Sequence, residues 1–316
     1  MRDVIQPGDA PLHEWRANVG APVALDLAPV ETGARATSLV VLSWNVWVGR
    51  GRVTELVGRI REGAYQSLGA EPDAPLVVLL QEAIRADDSV PVASNGRTGR
   101  ELLSPNRPRE DVVGTARASG FSLRYSPSMR NRGDRSDRGN AILASLPLSD
   151  GVGVELPYVL QRRVAVCASV EWAGWRLRLV SAHLDPRGPA GYRWLGAAGR
   201  GAQAAHLVGA LEEESVILGA DLNLGRGRAE RAWRLLGDAG FTFGVPPTLP
   251  SWRHTFHAVP RLVLDYLLVR DRNGTVAGLQ VHRLDEEPRD GGVTVFGSDH
   301  HPLLGILRLQ PSSPVS

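Results

Sequence analysis

Seven places in the chain set an acid, an amide or a histidine at the edge of an apolar run: Asn45, Glu82, Asn140, His183, Asp221 with Asn223, Asp265, and Asp299 with His300. These are the side chains that hold a hard divalent cation, deprotonate a water or donate to a phosphate oxygen. The stretch Val216–Leu224 (VILGADLNL) is the most informative. An apolar run bounded by Gly219 reads as a buried strand. On a strand, positions i and i+2 share a face, so Asp221 and Asn223 emerge together. Taken singly, each position has a plain structural explanation. Asp221 with Asn223, Asn45 and Asn140 suit turns, and Glu82 suits the start of a following helix. Asp265 suits a pair with a nearby Arg, and a lone His suits a hydrogen-bonded structural role. The joint pattern points to chemistry, because strand ends on one edge of a sheet converge into the usual site of α/β enzymes.

Those positions need strands to carry them. Leu39–Trp44 (LVVLSW) ends in Asn45, and Leu76–Leu80 (LVVLL) ends in Gln81–Glu82. Gly139–Ser145 resumes regular structure, and Arg163–Trp172 with Trp175–Ala182 reads as a hairpin around Ala173–Gly174 that delivers His183. Leu262–Val269, Thr275–Leu284 and Leu303–Leu309 complete the strands, with Ser298–His301 just before the last. Helical spacing marks Val53–Gly63, Glu110–Ala118, Ala197–Glu214 and Ala229–Ala239. Residues 83–137 are otherwise the least regular part. Their run Arg124–Arg138 reads either as a solvated loop or as a loop whose guanidinium forks contact phosphate. Residues 1–37 read as an N-terminal extension, lying on the domain or partly ordered. Residues 38–310 read as one catalytic domain, and 311–316 as a tail.

The 316 residues can bury a substantial core, and 43% apolar with 22% charged content is ordinary for a globular protein. All 36 basic residues are Arg, yet the net charge is only +2, so any polyanion argument rests on local clusters. Cys167, the single cysteine, excludes an intramolecular disulfide and fits a small core position. The N-terminal residues lack the apolar region of a secretory signal, and no apolar run is long enough to span a membrane. A cytoplasmic location is the expectation.

The motifs WNV (Trp44–Val46), LLQEA (Leu79–Ala83), RGNAIL (Arg138–Leu143), SAHLDP (Ser181–Pro186), GADLN (Gly219–Asn223), LDYLLV (Leu264–Val269) and GSDHHPL (Gly297–Leu303) occur in this order. In that order they resemble the endonuclease/exonuclease/phosphatase superfamily, across nearly the whole domain. The resemblance implies a four-layer α/β sandwich: two mixed sheets face to face, flanked by helices, with the active site at one edge. It implies that Glu82 is the principal ligand of a divalent metal, with Asn45 beside it and Asp299 contributing. Oxygen donors and a phosphate ester suit Mg²⁺ or Mn²⁺. It implies that Asp221 deprotonates the attacking water and that Asn223 positions water or substrate. It further implies that His300 and His183 donate to non-bridging phosphate oxygens, that Asp265 orients His300, and that Asn140 and Arg138 contact phosphate or water.

SAHLDP is similar to the His-type branch, and the motif of abasic-site endonucleases is absent at that position. The loops expected near the site carry Trp47, Arg50, Tyr192, Trp194 and Trp252. Aromatic rings beside Arg suit base stacking and phosphate binding, although loop packing explains such rings equally well. The expected activity is therefore metal-dependent phosphodiester hydrolysis, with nucleic acid as substrate. The alternatives are a phosphomonoester, an inositol phosphate or a lipid head group. A catalytically silent binding domain should have lost Glu82, Asp221 or His300, and all three are present.

Overall fold

The structure is a computed structural model that describes residues 1–5, 10–29, 38–92, 99–101, 107–132, 134–188, 196–211, 215–244, 254–258, 261–274, 276–285 and 294–310. In chain order its strands are β1 (Arg2–Val4), β2 (Val23–Leu25), β3 (Ser38–Asn45), β4 (Leu76–Arg85), β5 (Gly99–Glu101), β6 (Ser122–Arg132), β7 (Asp137–Ala144) and β8 (Ser149–Glu155). There follow β9 (Val164–Trp172), β10 (Trp175–His183), β11 (Val216–Asp221), β12 (Thr242–Phe243), β13 (Asp265–Arg270), β14 (Val276–Arg283) and β15 (Leu303–Leu309). The α-helices are α1 (Ala10–Ala17), α2 (Val53–Arg61), α3 (Val112–Ser119), α4 (Ala197–Ala210) and α5 (Arg231–Asp238).

One sheet runs β1-β8-β9-β10-β11-β13-β12, and the other runs β14-β15-β3-β4-β7-β6-β2 with β5 beside β6. Both are mixed, since β3 pairs β4 and β10 pairs β11 in parallel while their other neighbours are antiparallel. Alternate side chains of each strand enter different cores. Leu39, Val41, Val77 and Leu79 meet Val166, Ala168, Leu179 and Ile217 between the sheets. Val40, Leu42, Leu76 and Val78 instead pack on Leu56, Ile60 and Ala116 of α2 and α3. Val180, Val216 and Leu218 pack on Leu207, Ala232 and Leu236 of α4 and α5. Strands buried on both faces must be apolar nearly throughout, which is why LVVL and VIL show no alternation. The result is the expected four-layer sandwich.

The sheets approach closely at Gly219. A Cβ there would stand 2.5 Å from Ser43 Oγ and 2.8 Å from Leu79 Cδ1, so GADLN needs its glycine for the sheet-to-sheet contact. The β9–β10 hairpin closes through Ala173 and Gly174, both at positive φ, with Trp172 paired to Trp175. That is the turn geometry whose twist matches a two-residue hairpin. Cys167 is buried among the β11-sheet residues.

Three expectations are revised. Most of the run 124–138 is strand: β6 through Arg132 and β7 from Asp137 form an antiparallel pair. Leu123 and Tyr125 face the helix layer, while Ser122, Arg124, Ser126, Ser128 and Arg130, on the alternate positions, are also buried. That polar face is covered in part by the N-terminal segment. Arg124 bonds Asp26 and the Leu25 carbonyl, and Ser126 bonds Asp3. Arg130 reaches the Pro91 carbonyl, and Arg135 bonds Asp88. Within residues 1–37, expected as an extension lying on the domain or partly ordered, Arg2–Val4 adds β1 to one sheet and Val23–Leu25 adds β2 to the other. Finally, β4 does not stop at Glu82 and no helix begins there. The strand continues to Arg85 through a bulge between Leu80 and Ala83.

Candidate active site

Register assembles the site. β10 and β11 are parallel and end together, with His183 opposite Asp221. β13 is antiparallel to β11 and begins where β11 ends, with Asp221 opposite Asp265. In the facing sheet, β3 and β4 are parallel and bring Asn45 beside Gln81. The two sheet edges are joined by Asn45 Nδ2, which donates to Asp221 Oδ2 at 2.9 Å. Behind them Gln81, fully buried, donates to Ser181 Oγ at 3.1 Å and to the Gly219 carbonyl at 3.3 Å, locking one sheet to the other.

Asp221 is held at both oxygens: Oδ1 accepts the Asn223 backbone N–H at 3.0 Å, and Oδ2 also lies 3.3 Å from His183 Nε2. Asn223 sits at positive φ, which Asn tolerates, and donates its side-chain amide to the Leu184 carbonyl at 3.1 Å. His300 Nδ1 lies 2.7 Å from Asp265 Oδ2, and His300 Nε2 lies 3.9 Å from Asp221 Oδ2. Ser298 fixes this segment, donating its hydroxyl to the Asn45 carbonyl at 2.7 Å and accepting the His300 N–H at 3.1 Å. Thr255 Oγ1 accepts the backbone N–H groups of Leu264 and Asp265 and so sets the start of β13.

The environments drive these groups apart. Burial, aided by the Asp265 charge, pushes the Asp221 carboxyl up to about 7, against the opposing pull of His300 and the Asn45 hydrogen bond. Burial alone would lower the His300 imidazole. The charge and hydrogen bond of Asp265, with Asp221 and Asp299 nearby, instead carry it up to about 10. His183 moves oppositely: burial, then the charges of Arg163, His300 and Arg138, hold its imidazole well below the usual value. At neutral pH the site thus pairs a titrating carboxylate with one cationic and one neutral imidazole. Asp299 is raised to about 6, first by burial and then by Glu82, with His300 opposing.

Asn45, Glu82, Asn140, His183, Asp221, Asn223, Asp299 and His300 line one cleft of about 750 Å³, while Asp265 is not among its lining residues and reaches it through His300. Glu82 occupies the β4 bulge at positive φ, a costly conformation for a residue with a Cβ. Asn140 donates to the Val164 carbonyl at 2.7 Å. Trp47 and Arg138 line the cleft. Arg50 does not: it is buried, with its guanidinium 3.6 Å from the Trp47 ring centroid. Tyr192, Trp194 and Trp252 lie outside the described residues. Sequence reasoning did not single out Arg163, which lines the cleft and pairs with Asp185 at 3.3 Å, or Arg187, also on the cleft. Arg187 lies four positions after His183 at the end of β10, whereas Arg163 precedes β9, a strand that carries no other site residue.

Asp221, Asp265 and His300 offer ligand atoms within 4.8 Å of one another. The short His300–Asp265 contact occupies that arrangement with a proton-bearing pair. Hard oxygen donors are instead found at Glu82, Asn45 and Asp299. Among the described residues no helix is long and apolar enough to cross a membrane.

No curated protein matches the chain. Solved structures do. An endonuclease/exonuclease/phosphatase family protein from Leptotrichia buccalis aligns with TM-score 0.55 at 13% identity, covering 86% of this chain and 99% of the other. TDP2 from Caenorhabditis elegans aligns with TM-score 0.54 at 16% identity, covering 88% and 77%. The human Nocturnin catalytic domain with bound sulfate aligns with TM-score 0.53 at 15% identity, covering 92% and 97%. At such identities the likeness shows the fold. The family itself follows from residues 42–300, which match its sequence model: the chain belongs to the endonuclease/exonuclease/phosphatase family.

Proposed function

We propose that the chain is a divalent-metal-dependent phosphodiester hydrolase of the His-type branch, acting on DNA or RNA with Mg²⁺ or Mn²⁺. The observation that carries the reading is the convergence on one cleft of Asp221, fixed by Asn45 and the Asn223 N–H, and His300, fixed by Asp265. A carboxylate base beside a protonated imidazole donor is the pairing that hydrolysis of a phosphate ester needs.

The metal fits the donors present. Glu82 and Asp299 are near enough that the Glu82 charge raises the Asp299 carboxyl, a repulsion that a divalent cation relieves. With Asn45 they make an oxygen set suited to Mg²⁺ or Mn²⁺. When bound, the ion supplies Lewis-acid polarisation of a phosphoryl oxygen.

The side chains supply the rest. Asp221, oriented by Asn45 and Asn223, takes the proton of the attacking water. His300, whose Nδ1 is committed to Asp265, presents Nε2–H to a non-bridging oxygen and holds the charge that develops there. His183, neutral, is a second donor. Asn140 and Arg138, which line the same cleft, contact phosphate oxygens or water in this reading. Favouring a polyanion, Arg132, Arg138, Arg163 and Arg187 line the cleft together with Trp47.

The test is a Mg²⁺- and Mn²⁺-supplemented panel of single- and double-stranded DNA, RNA, a bis-aryl phosphodiester, inositol phosphates and sphingomyelin. Cleavage of polynucleotides and of the bis-aryl diester is expected. Turnover of inositol phosphates with none of polynucleotides would replace the nuclease reading.

A further inference from the structure

Beside the Asp299–His300 segment, three more histidines converge that the reaction above does not use. His257 Nδ1 lies 3.1 Å from His301 Nε2. The His254 ring stands 5.2 Å from His301 at 82°, and one nitrogen from each of the three lies within 4.8 Å of the others. In a tetrahedral zinc site, Zn–N bonds of about 2.0–2.1 Å place ligand nitrogens roughly 3.4 Å apart, so the closest pair is already near that spacing.

Tautomers sharpen the case. His301 Nδ1 faces two acceptors, the Leu284 carbonyl at 3.2 Å and Asp285 Oδ1 at 2.9 Å. Its Nδ1 therefore carries the proton and its Nε2 turns a lone pair toward His257. A carboxylate behind the far nitrogen of an imidazole is the usual support of a metal-binding histidine. His254 is 9% exposed, and its Nε2 is buried without a hydrogen-bond partner. Leaving such an atom unpaired costs about 1–3 kcal/mol. The Arg283 guanidinium that approaches this cluster is itself paired with Asp285 at 2.9 Å.

We propose that His254, His257 and His301 bind a borderline-soft divalent transition ion, Zn²⁺ foremost, with Asp285 as the carboxylate that orients His301. Three imidazoles with no carboxylate among the direct ligands favour Zn²⁺ over the Mg²⁺ or Mn²⁺ suited to the oxygen donors of the catalytic cleft. They leave a fourth position for water. The ion ties residues 254–258 to the end of β14 and to the segment carrying His300. That tie reaches the catalytic residues. His257 N–H donates to the Asp299 carbonyl at 2.7 Å, and His301 N–H donates to the Thr255 carbonyl at 2.8 Å. Thr255 Oγ1 in turn holds the Asp265 backbone. The bound ion would hold in place the residues that orient His300, without touching substrate.

The experiment uses the full chain, stripped with a chelator and then loaded with one equivalent of Zn²⁺ in excess Mg²⁺. Bound zinc is counted by elemental analysis after gel filtration, and the melting temperature is recorded with and without zinc. One retained equivalent and a raised melting temperature are expected. His257→Gln, at a half-exposed position, and His254→Gln should each lose both effects while circular dichroism stays that of the parent. Asp221→Asn should keep both, and Asp285→Asn should weaken zinc binding about 10- to 100-fold. No retained zinc in the parent would overturn the site. So would retention in the His254→Gln/His257→Gln double variant, or loss in Asp221→Asn alone, which would put the ion in the catalytic cleft.

Discussion

His300 and Asp265 form a buried ionic hydrogen bond, Nδ1 to Oδ2 at 2.7 Å, while Asp265 Oδ1 has no hydrogen-bond partner. The whole acceptor strength of that carboxylate is therefore directed at one imidazole nitrogen, and Nε2 is left as the group facing the cleft. The pair holds the His300 imidazole up to about 10. In the metal-free protein its ring protons, followed by NMR, should not titrate near 6.5 and should move only toward pH 10. In Asp265→Asn, burial is opposed only by the Asp221 and Asp299 charges, and the transition should fall well below that of the parent. The sign for stability follows. A pKa raised on folding contributes stability that is fully present below 6.5 and is lost as pH rises through about 10. The difference in melting temperature between parent and variant should shrink over that interval. A parent His300 that titrates near 6.5 would show that the pair is not ionic.

Asp221 carries the opposite balance of cost and use. Its carboxyl is raised to about 7, mainly by burial, so the folded state of the metal-free protein holds a proton that the unfolded chain releases near 4. Stability should decline as pH rises from about 4 through 7, and Asp221→Asn should remove that decline. The variant should melt no lower than the parent at pH 8 while losing most hydrolysis, a drop on the order of 10²- to 10⁴-fold for a general base. His300→Ala should lose activity on a similar scale. A variant of either kind that hydrolyses like the parent would remove that residue from the reaction.

The strand ends of this site were legible because each apolar run is buried on both faces and stops on a polar residue. Apolar length marked the strands, and order along the chain marked the family. What escaped was set by distant partners. The β6 face bearing Ser122, Arg124, Ser126, Ser128 and Arg130 has the alternation of a strand. Its polar side is nevertheless buried, by residues some 100 positions away such as Asp26. No local pattern distinguishes such a face from solvent-exposed polarity. Arg50 looked like a rim residue and lies beneath Trp47, because three successive positive-φ residues, Trp47, Val48 and Gly49, fold the turn back. The Glu82 bulge needs a mismatch between β4 and β7 that neither strand shows alone. His301 stood in a recognised motif, but its companions His254 and His257 lie more than forty positions earlier, outside any motif.

The same distant pairing predicts where the fold is most sensitive. Arg85, 1% exposed, pairs with fully buried Asp137, which also accepts the Tyr125 hydroxyl and the Gly20 backbone N–H. Arg85 further donates to the Ala21 carbonyl, so the pair pins the N-terminal segment to β4 and β7. Arg85→Met leaves Asp137 buried and charged without its cationic partner and should cost about 3–5 kcal/mol in denaturant unfolding. The double variant Arg85→Met/Asp137→Leu, which removes both charges, should regain a large part of that loss. Equal destabilisation in the double variant would mean that the neighbouring hydrogen bonds, rather than the ion pair, hold the segment.

The cleft arginines give the substrate reading a test independent of turnover. Arg132, Arg138 and Arg187 are brought to one cleft from β6, β7 and the segment after β10. If they contact successive phosphates, binding of a DNA duplex to the inactive Asp221→Asn protein should weaken linearly in log salt. Replacing each Arg by Gln should reduce that slope by about 0.9. Trp47→Ala should act differently: a lost base stack costs about 1–3 kcal/mol with single strands and leaves the slope unchanged. Phosphate contacts and stacking are thus separable in one titration series measured by fluorescence anisotropy. A slope that no Arg substitution changes would mean that the cleft does not track a nucleic-acid backbone, and the smaller phosphate esters would then be the better candidates.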